Sequence, residues 1–262
     1  MSALAPPTRP LVGRLTDLAL FGGVVVLLAF SFHAVEMRRL PLVFTNSTRI
    51  GAFAGGFLKP DFTQGWLFVN AMVLTLEIAL WGTVLAIALA IPLGLLAAKN
   101  VSPVWVQQPV RRLLDLMRAV PDLVVGYIFI VAVGLGPFAG VMALAINTGG
   151  VLAKLFSEAV EAIDPQPVEG VRAVGATRLQ EVAWGVLPQV GPLWTSYALY
   201  RFESNARSAT VLGLIGAGGI GQLLFDSLNN YAYGQVAAII VVIVVAVSVI
   251  DLLSQALRSR LL

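Results

Sequence analysis

The sequence has 262 residues with no cysteine and a single histidine, His33. Without thiols it can form no disulfide, no zinc–thiolate site and no thiol nucleophile. His33 falls at the end of a long apolar run, where it reads as an interfacial residue rather than a ligand. Charge is also scarce. Only 12% of the residues are charged, against about 25% in ordinary soluble domains. That is too little to solvate a globular surface of this length. The composition is 58% hydrophobic with a mean hydropathy of +0.88, which indicates a polytopic membrane protein. The isoelectric point near 9.5 is not matched by any stripe of Lys and Arg, so nucleic acid is excluded as a partner. In a bilayer, positive charge marks cytoplasmic loops instead.

What is present is a series of apolar runs near the length of roughly 20 residues that a helical span requires. Residues 1–14 read as a Pro-rich cytoplasmic tail. A first span at about 15–35 is followed by "HAVEMRRLPL" and lacks a small-residue cleavage site, so it reads as an anchor rather than a signal peptide. Residues 36–64 form an external segment. A second span runs from about 66 to 98, roughly 50 Å of helix, with Pro92 and Gly94 expected to kink it. Further spans are expected at about 119–135, 138–157, 183–207 and 234–254, with a Gly-rich re-entrant stretch at 211–223. With both termini inside, this arrangement places ten of the seventeen Lys and Arg residues in cytoplasmic segments and an eleventh, Lys154, at the inner end of the fourth span. The expected organisation is therefore all-α with six transmembrane helices. Residues 15–65 hold the first span and external segment, 66–257 the core with a cytoplasmic loop at about 158–182, and 258–262 a cytoplasmic C-terminus.

Gly216, Gly218 and Gly221 in "GLIGAGGIGQ" have the spacing G-x-G-x-x-G. A dinucleotide loop also needs a preceding strand and a carboxylate about 20 residues on to hold a ribose. That position lies in "AAIIVVIVVAV", which has no acidic residue, so the glycines read as close-packing or turn residues. A phosphate-binding loop of the type G-x-x-x-x-G-K-[S/T] is absent, and the chain cannot itself be an ATPase. No catalytic constellation or metal-ligand cluster is visible, and no cofactor is expected in this chain.

Ionisable residues inside apolar runs are costly and default to function. "YRFESNARSA" places Arg201, Glu203, Asn205 and Arg207 within the fifth span. Glu203 and Arg207 stand at i,i+4 in the favourable order for a helical ion pair. Arg201 is left without that carboxylate, with Asn205 one turn away on the same face. A guanidinium free of a counter-charge suits an oxyanion. Glu77, in the second span, would repel an anion and is expected to pair with an arginine. Asp122 is expected to cap the third span.

The polar loop reads "EGVRAVGATRLQEVAWGVLPQV". Asp164 and Pro165 can start a short helix, and Gly175 can end it at positive φ. A second short helix then runs through "TRLQEVAWGVL" to Pro188. Glu169, Gly175, Leu187 and Pro188 fall in register with the EAA loop of the membrane subunits of binding-protein-dependent ABC importers. Gly170 and Val171 stand where that motif has alanines, and Gly185 where it has isoleucine. With "GLGPFAGVMALAINTGGVLAKLFSEAVEAID" and "LPQVGPLWTSYALYRFESNARSATVLGLIGAGGIG", residues 67–257 resemble the phosphonate-type permease branch. The resemblance implies a homodimer of six-span subunits in the bacterial inner membrane. It further implies two cytoplasmic ATP-binding subunits, which carry ATP and Mg, and an extracytoplasmic solute-binding protein. The cargo it implies is a phosphonate, phosphate or phosphite. Glu169, Arg172, Gly175, Arg178, Leu187 and Pro188 are then the coupling-loop residues, and Arg201, Glu203, Asn205, Arg207 and Glu77 line the pathway. A related importer for methionine or a quaternary amine is the near alternative, although a cation would favour aromatic cages. A membrane enzyme would need a reactive cluster, and a passive channel would not need the loop.

Overall fold

The computed structural model describes residues 11–45, 51 and 54–260. Most of the expected N-terminal tail lies outside the described residues, as do 46–50 and 52–53 of the external segment. Among the described residues there are helices and no strands, which bears out the all-α expectation. The chain divides into two compact units, Met1–Gly55 and Gly56–Leu262.

The first unit holds α1 (Leu11–Ala34), a short 3-10 turn at Met37–Arg39, and α2 (Leu40–Thr45). α1 carries exposed apolar side chains, including Leu20, Phe21, Leu27 and Phe30, and is long and apolar enough over Thr16–Ala34 to cross a bilayer. Glu36 turns the chain with a left-handed φ of 51°, and its carboxylate pairs with Arg39 at 3.0 Å.

The second unit is a helical bundle built on α3 (Gly65–Ala97) and α6 (Pro137–Glu161). Small residues let these two helices approach closely, as is usual where lipid supplies no hydrophobic drive. A Cβ on Gly82 would lie 2.7 Å from that of Leu144, and one on Gly94 would lie 2.9 Å from that of Phe156. Around them run α4 (Val104–Ala119), α5 (Asp122–Val133), α7 (Pro165–Ala173), α8 (Arg178–Gln180), α9 (Leu187–Leu212), α10 (Ile220–Asn229) and α11 (Tyr233–Arg258). Wide i→i+5 turns at Glu181–Val186 and Gly213–Ala217 flank α9 at both ends. The core forms three successive clusters along α3. Phe68 and Met72 pack with Ile220 and Ile239, Ile78 and Ala79 with Leu144 and Leu212, and Ala86 and Ala90 with Leu152 and Phe156.

Among the described residues, four helical stretches are long and apolar enough to cross a bilayer alone, Thr16–Ala34, Gly65–Ala97, Pro137–Glu161 and Tyr233–Arg258. The count reaches six only if each of two bent pairs makes one span. The expected third span is corrected here. α5 has 12 residues, about 18 Å of helix, and α4 meets it at 88°. Val120 and Pro121 cause the break, since the residue before a proline avoids the helical region. Asp122 is the first helical residue, and Pro121 takes the cap position with no side-chain bond, so the expected aspartate cap does not form. The second short helix of the loop is corrected too. Arg178–Gln180 passes into the wide turn and then directly into α9.

The Gly-rich stretch is a tight turn that bends the chain by 57° between α9 and α10. Gly216, Gly218 and Gly219 all have positive φ, and the amide of Ile220 donates to Thr75 Oγ1 at 2.8 Å. A Cβ on Gly221 would collide with the carbonyl oxygen of Thr210. Gly221→Ala is therefore expected to cost about 1–3 kcal/mol, the usual range for overpacking. A thermal midpoint in detergent equal to that of the unmodified protein would contradict this.

Candidate functional site

Three central helix positions meet in a buried polar chain. Thr83 stands midway along α3, Thr148 midway along α6, and Arg201 and Asn205 one turn apart on α9. Asn205 Nδ2 donates to Thr83 Oγ1 at 2.9 Å, and Thr83 Oγ1 donates to the Ala79 carbonyl at 2.7 Å. Thr148 Oγ1 donates to Asn205 Oδ1 at 2.8 Å and accepts from the Arg201 guanidinium at 3.2 Å. Thr83, Thr148 and Asn205 are all buried. Asn205 is the shared member, bonded to both Thr83 and Thr148, so losing either threonine hydroxyl leaves a buried amide atom unpaired at about 1–3 kcal/mol.

Arg201 ends the chain without an ion-pair partner among the described residues. Its Nε is buried and has no hydrogen-bond partner among the described residues. Asn147, midway along α6, donates to the Val120 carbonyl at 3.2 Å, so α5 begins at mid-depth. The sequence-derived contrast between a paired Arg207 and an unpaired Arg201 holds in the structure.

Arg207 belongs to a second cluster. It reaches Glu203 at 3.1 Å and Asp251 at 3.4 Å, while Arg258 reaches the other oxygen of Glu203 at 3.4 Å. Arg258 also lies over the Tyr200 ring at 5.9 Å. The four charges tie α9 to α11. Glu77 departs from its expectation. It is exposed on α3, on the outward face with Val73 and Leu80, and forms no ion pair with any described residue. The rotation of α3 that buries Ile78 and Ala79 in the core is what turns Glu77 away from it.

The polar loop is a built structure. The Asp164 side chain accepts from the Gln166 amide at 2.9 Å and so caps α7. Gly175 ends the turn at φ 82° with open space where a side chain would stand. Thr177 and Gln180 form a reciprocal capping box at the start of α8. Gln189 clasps the loop's base, donating to the Asp164 carbonyl at 3.2 Å and accepting from the Asp164 amide. Arg172 binds Glu181 through two bonds of 2.9 Å. That bridge holds the Glu181 carboxyl below its usual range and raises Arg172. The contribution of the bridge is complete above the ordinary carboxylate pKa, and it is lost only as pH falls through the lowered one. Glu169, three residues before Arg172, forms no hydrogen bond or ion pair through its carboxylate among the described residues. Arg178 donates to the Val101 carbonyl at 3.2 Å, bridging the loop to the turn after α3. Between them lies a cavity of about 210 Å³, floored by Val101, Ile163 and Val168 and rimmed by Glu169, Arg172 and Arg178. Leu187 and Pro188 open α9, where a missing amide is tolerated.

Several participants have no sequence signal. Thr83 and Thr148 are neutral residues on apolar helices, and their partners lie far away in sequence. Glu181, Asp251 and Arg258 are ordinary charges until the fold brings them to Arg172, Arg207 and Glu203.

Comparison with known proteins fits this architecture. Residues 90–262 match the family model described as binding-protein-dependent transport system inner membrane component. The chain is 38% identical to the phosphite transport system permease protein PtxC of Stutzerimonas stutzeri, over 94% of this chain and 89% of that one. It is 40% identical to the phosphate-import permease protein PhnE of Mycolicibacterium smegmatis, over 98% of this chain but only 49% of that longer protein. Among solved structures, the MetNI methionine ABC transporter, in inward-facing conformations, superposes with a TM-score of 0.67 at 20% identity. The match covers 75% of this chain and 97% of that one. A helical bundle with a mid-depth polar chain, a capped polar loop and this matched segment leads to one assignment: the chain belongs to the family of inner-membrane components of binding-protein-dependent transport systems.

Proposed function

We propose that this chain is the permease subunit of an ATP-driven importer that carries a phosphorus oxyanion, phosphonate, phosphite or phosphate, by alternating access. The observation that carries the proposal is Arg201, a half-buried guanidinium with an orphaned Nε and no carboxylate partner among the described residues. Tetrahedral oxyanions match its paired donors. The Thr148–Asn205–Thr83 chain holds it at mid-depth, where broken helices and solute sites of transporters meet. The phosphite and phosphate relatives support the same solute class, whereas the likeness to the methionine transporter is one of fold.

In this account two copies of the chain assemble, and Glu77 faces either the second copy or a water-filled path rather than lipid. An uncompensated carboxylate in lipid is expensive. The loop at 158–182 docks on a separate ATP-binding subunit that carries ATP and Mg, one for each permease copy. Glu169, Arg172, Gly175 and Arg178 shape its surface, while Leu187 and Pro188 carry its movement into α9. An extracytoplasmic binding protein delivers the solute to the opposite face.

Two experiments test these points. Isothermal titration of the solute-binding partner with methylphosphonate, phosphite and phosphate should give tight binding of at least one. Binding only of methionine or betaine would overturn the solute class. For orientation, the chain has no native cysteine, so single cysteines label without background. A cysteine at Asn230 should react with an impermeant maleimide from outside, and cysteines at Ser102 or Thr177 only after permeabilisation. External reaction at Thr177 would remove the docking loop from the ATPase side.

A further inference from the structure

At the base of the loop, Glu161 and Arg111 join the ends of α3 and α6 to the middle of α4. Glu161 is the last residue of α6 and stands three positions before Asp164, the cap of α7. Its carboxylate accepts the backbone amide of Lys99 at 2.9 Å and binds the Arg111 guanidinium through Oε1. The Lys99 ammonium lies 3.9 Å from the other oxygen. Arg111, on α4, uses its Nε to hold the carbonyl of Ala97, the last residue of α3, at 2.9 Å. Asn100 adds a bond of 2.6 Å to the Val160 carbonyl. Both side chains of the central pair are about four-fifths covered.

We infer that the Glu161–Arg111 pair is a coupling clamp, which makes the ends of α3 and α6 and the middle of α4 move as one body with the docking loop. The inference rests on the importer reading above, and it assigns to these two residues a role in transmission rather than in solute contact. The last C=O groups of a helix such as α3 and the amides of the turn that follows have no helical partners. Glu161 and Arg111 supply them, so a helix end that could fray is fastened to α6 and α4 instead. On the loop side, Arg178 holds Val101 in that same turn. A push on α7 and α8 therefore reaches α3 at two points, Val101 and the Ala97–Lys99 end. α3 is the helix that carries Thr83 into the polar chain around Asn205. The clamp joins the cytoplasmic loop to the mid-depth site by a continuous set of bonded elements. Without it, the loop can move while the end of α3 yields.

Three variants separate a bridge from a charge. Glu161→Gln keeps an acceptor for the Lys99 amide and loses the ion pair. Arg111→Lys keeps the charge but loses the planar fork that reaches both Glu161 and Ala97. Glu161→Ala loses everything. The measurement is the number of ATP molecules hydrolysed per phosphate or phosphite imported, in proteoliposomes holding the complete complex with its partner chains. A residue that merely supports folding lowers hydrolysis and import together and leaves this ratio unchanged. The clamp predicts a ratio raised roughly three- to tenfold in Arg111→Lys and Glu161→Gln, the size usual for residues in a transmission network. Hydrogen exchange of the peptide spanning residues 95–103 should rise in parallel. If Glu161→Ala fails to assemble, that agrees with its role as the shared acceptor, and the two milder variants decide the question. A wild-type ratio in both milder variants would overturn the clamp alone. Absence of ATP-driven import by the unmodified complex would overturn the importer reading, and the clamp with it.

Discussion

Arg201→Ala is expected to lower ATP-driven import roughly 100-fold or more while the complex still assembles. The size follows from two charge-assisted bonds to an oxyanion, each worth about 1.5–3 kcal/mol. Assembly should survive because Arg201 gives up only one bond within the protein, to the Thr148 hydroxyl. Thr148 keeps its bond to Asn205. Arg201→Lys should retain the charge and lose the fork, giving a smaller defect. Arg207→Ala belongs to a different class. Read from the sequence, both arginines line one anion path. In the structure Arg207 is engaged by Glu203 and Asp251, so its loss loosens α9 from α11. Arg207→Ala should lower the amount of assembled complex more than the import per complex. Glu203→Ala should be worse, because it removes the acceptor that Arg207 and Arg258 share. Radiolabelled phosphite or phosphate uptake, normalised to complex recovered, separates the two arginines. Equal per-complex uptake by Arg201→Ala and the unmodified protein would remove Arg201 from the path.

Gly175→Val is expected to disconnect the loop from transport. Gly175 has φ 82°, and a Cβ added there would meet nothing within 4 Å, so crowding plays no part. The penalty is backbone strain alone, about 1–2 kcal/mol for an L-residue in the left-handed region and more for a β-branched one. A turn this short between α7 and the Arg178–Gln180 segment cannot absorb that without turning one relative to the other. The Arg172–Glu181 bridge spans the same turn and would be displaced with it. The expected phenotype is a permease that inserts and pairs but recovers little ATPase, or hydrolyses ATP without import. Gly175→Asn is the informative control. Asparagine tolerates positive φ better than other non-glycine residues, so it should keep most of the coupling. If valine and asparagine both transport at the unmodified rate, the turn geometry is irrelevant to docking.

Much of this is legible in the sequence because bilayers impose simple rules. A 33-residue apolar run such as Gly65–Ala97 has few alternatives to a helix, and the Asp164–Pro165 start and Gly175 stop are local signals that the structure reproduces. The i,i+4 pair of Glu203 and Arg207 is also local, and it forms. What escapes is non-local. The break at Val120–Pro121 divides a hydrophobic pattern that continues smoothly from one side, so α5 reads as a full span. Electrostatic reasoning gives Glu77 an arginine, yet helix rotation turns it outward, and period counting on a uniformly apolar helix does not fix rotation. Thr83 and Thr148 become visible only when α3, α6 and α9 are brought together. Nearness in sequence links Arg172 to Glu169, three residues away, while the fold gives it to Glu181 across the turn.

The central claim is that this chain passes a phosphorus oxyanion through the membrane under the control of ATP. The direct measurement is uptake into proteoliposomes containing the complete complex, with ATP inside and the solute-binding partner outside. Labelled phosphate and phosphite are compared with labelled methionine and glycine betaine, with and without ATP. The account predicts accumulation of a phosphorus oxyanion that requires ATP, is competed by methylphosphonate or an unlabelled oxyanion, and collapses in Arg201→Ala. Uptake of methionine or betaine with no oxyanion transport, or oxyanion flux that proceeds equally without ATP, would contradict it.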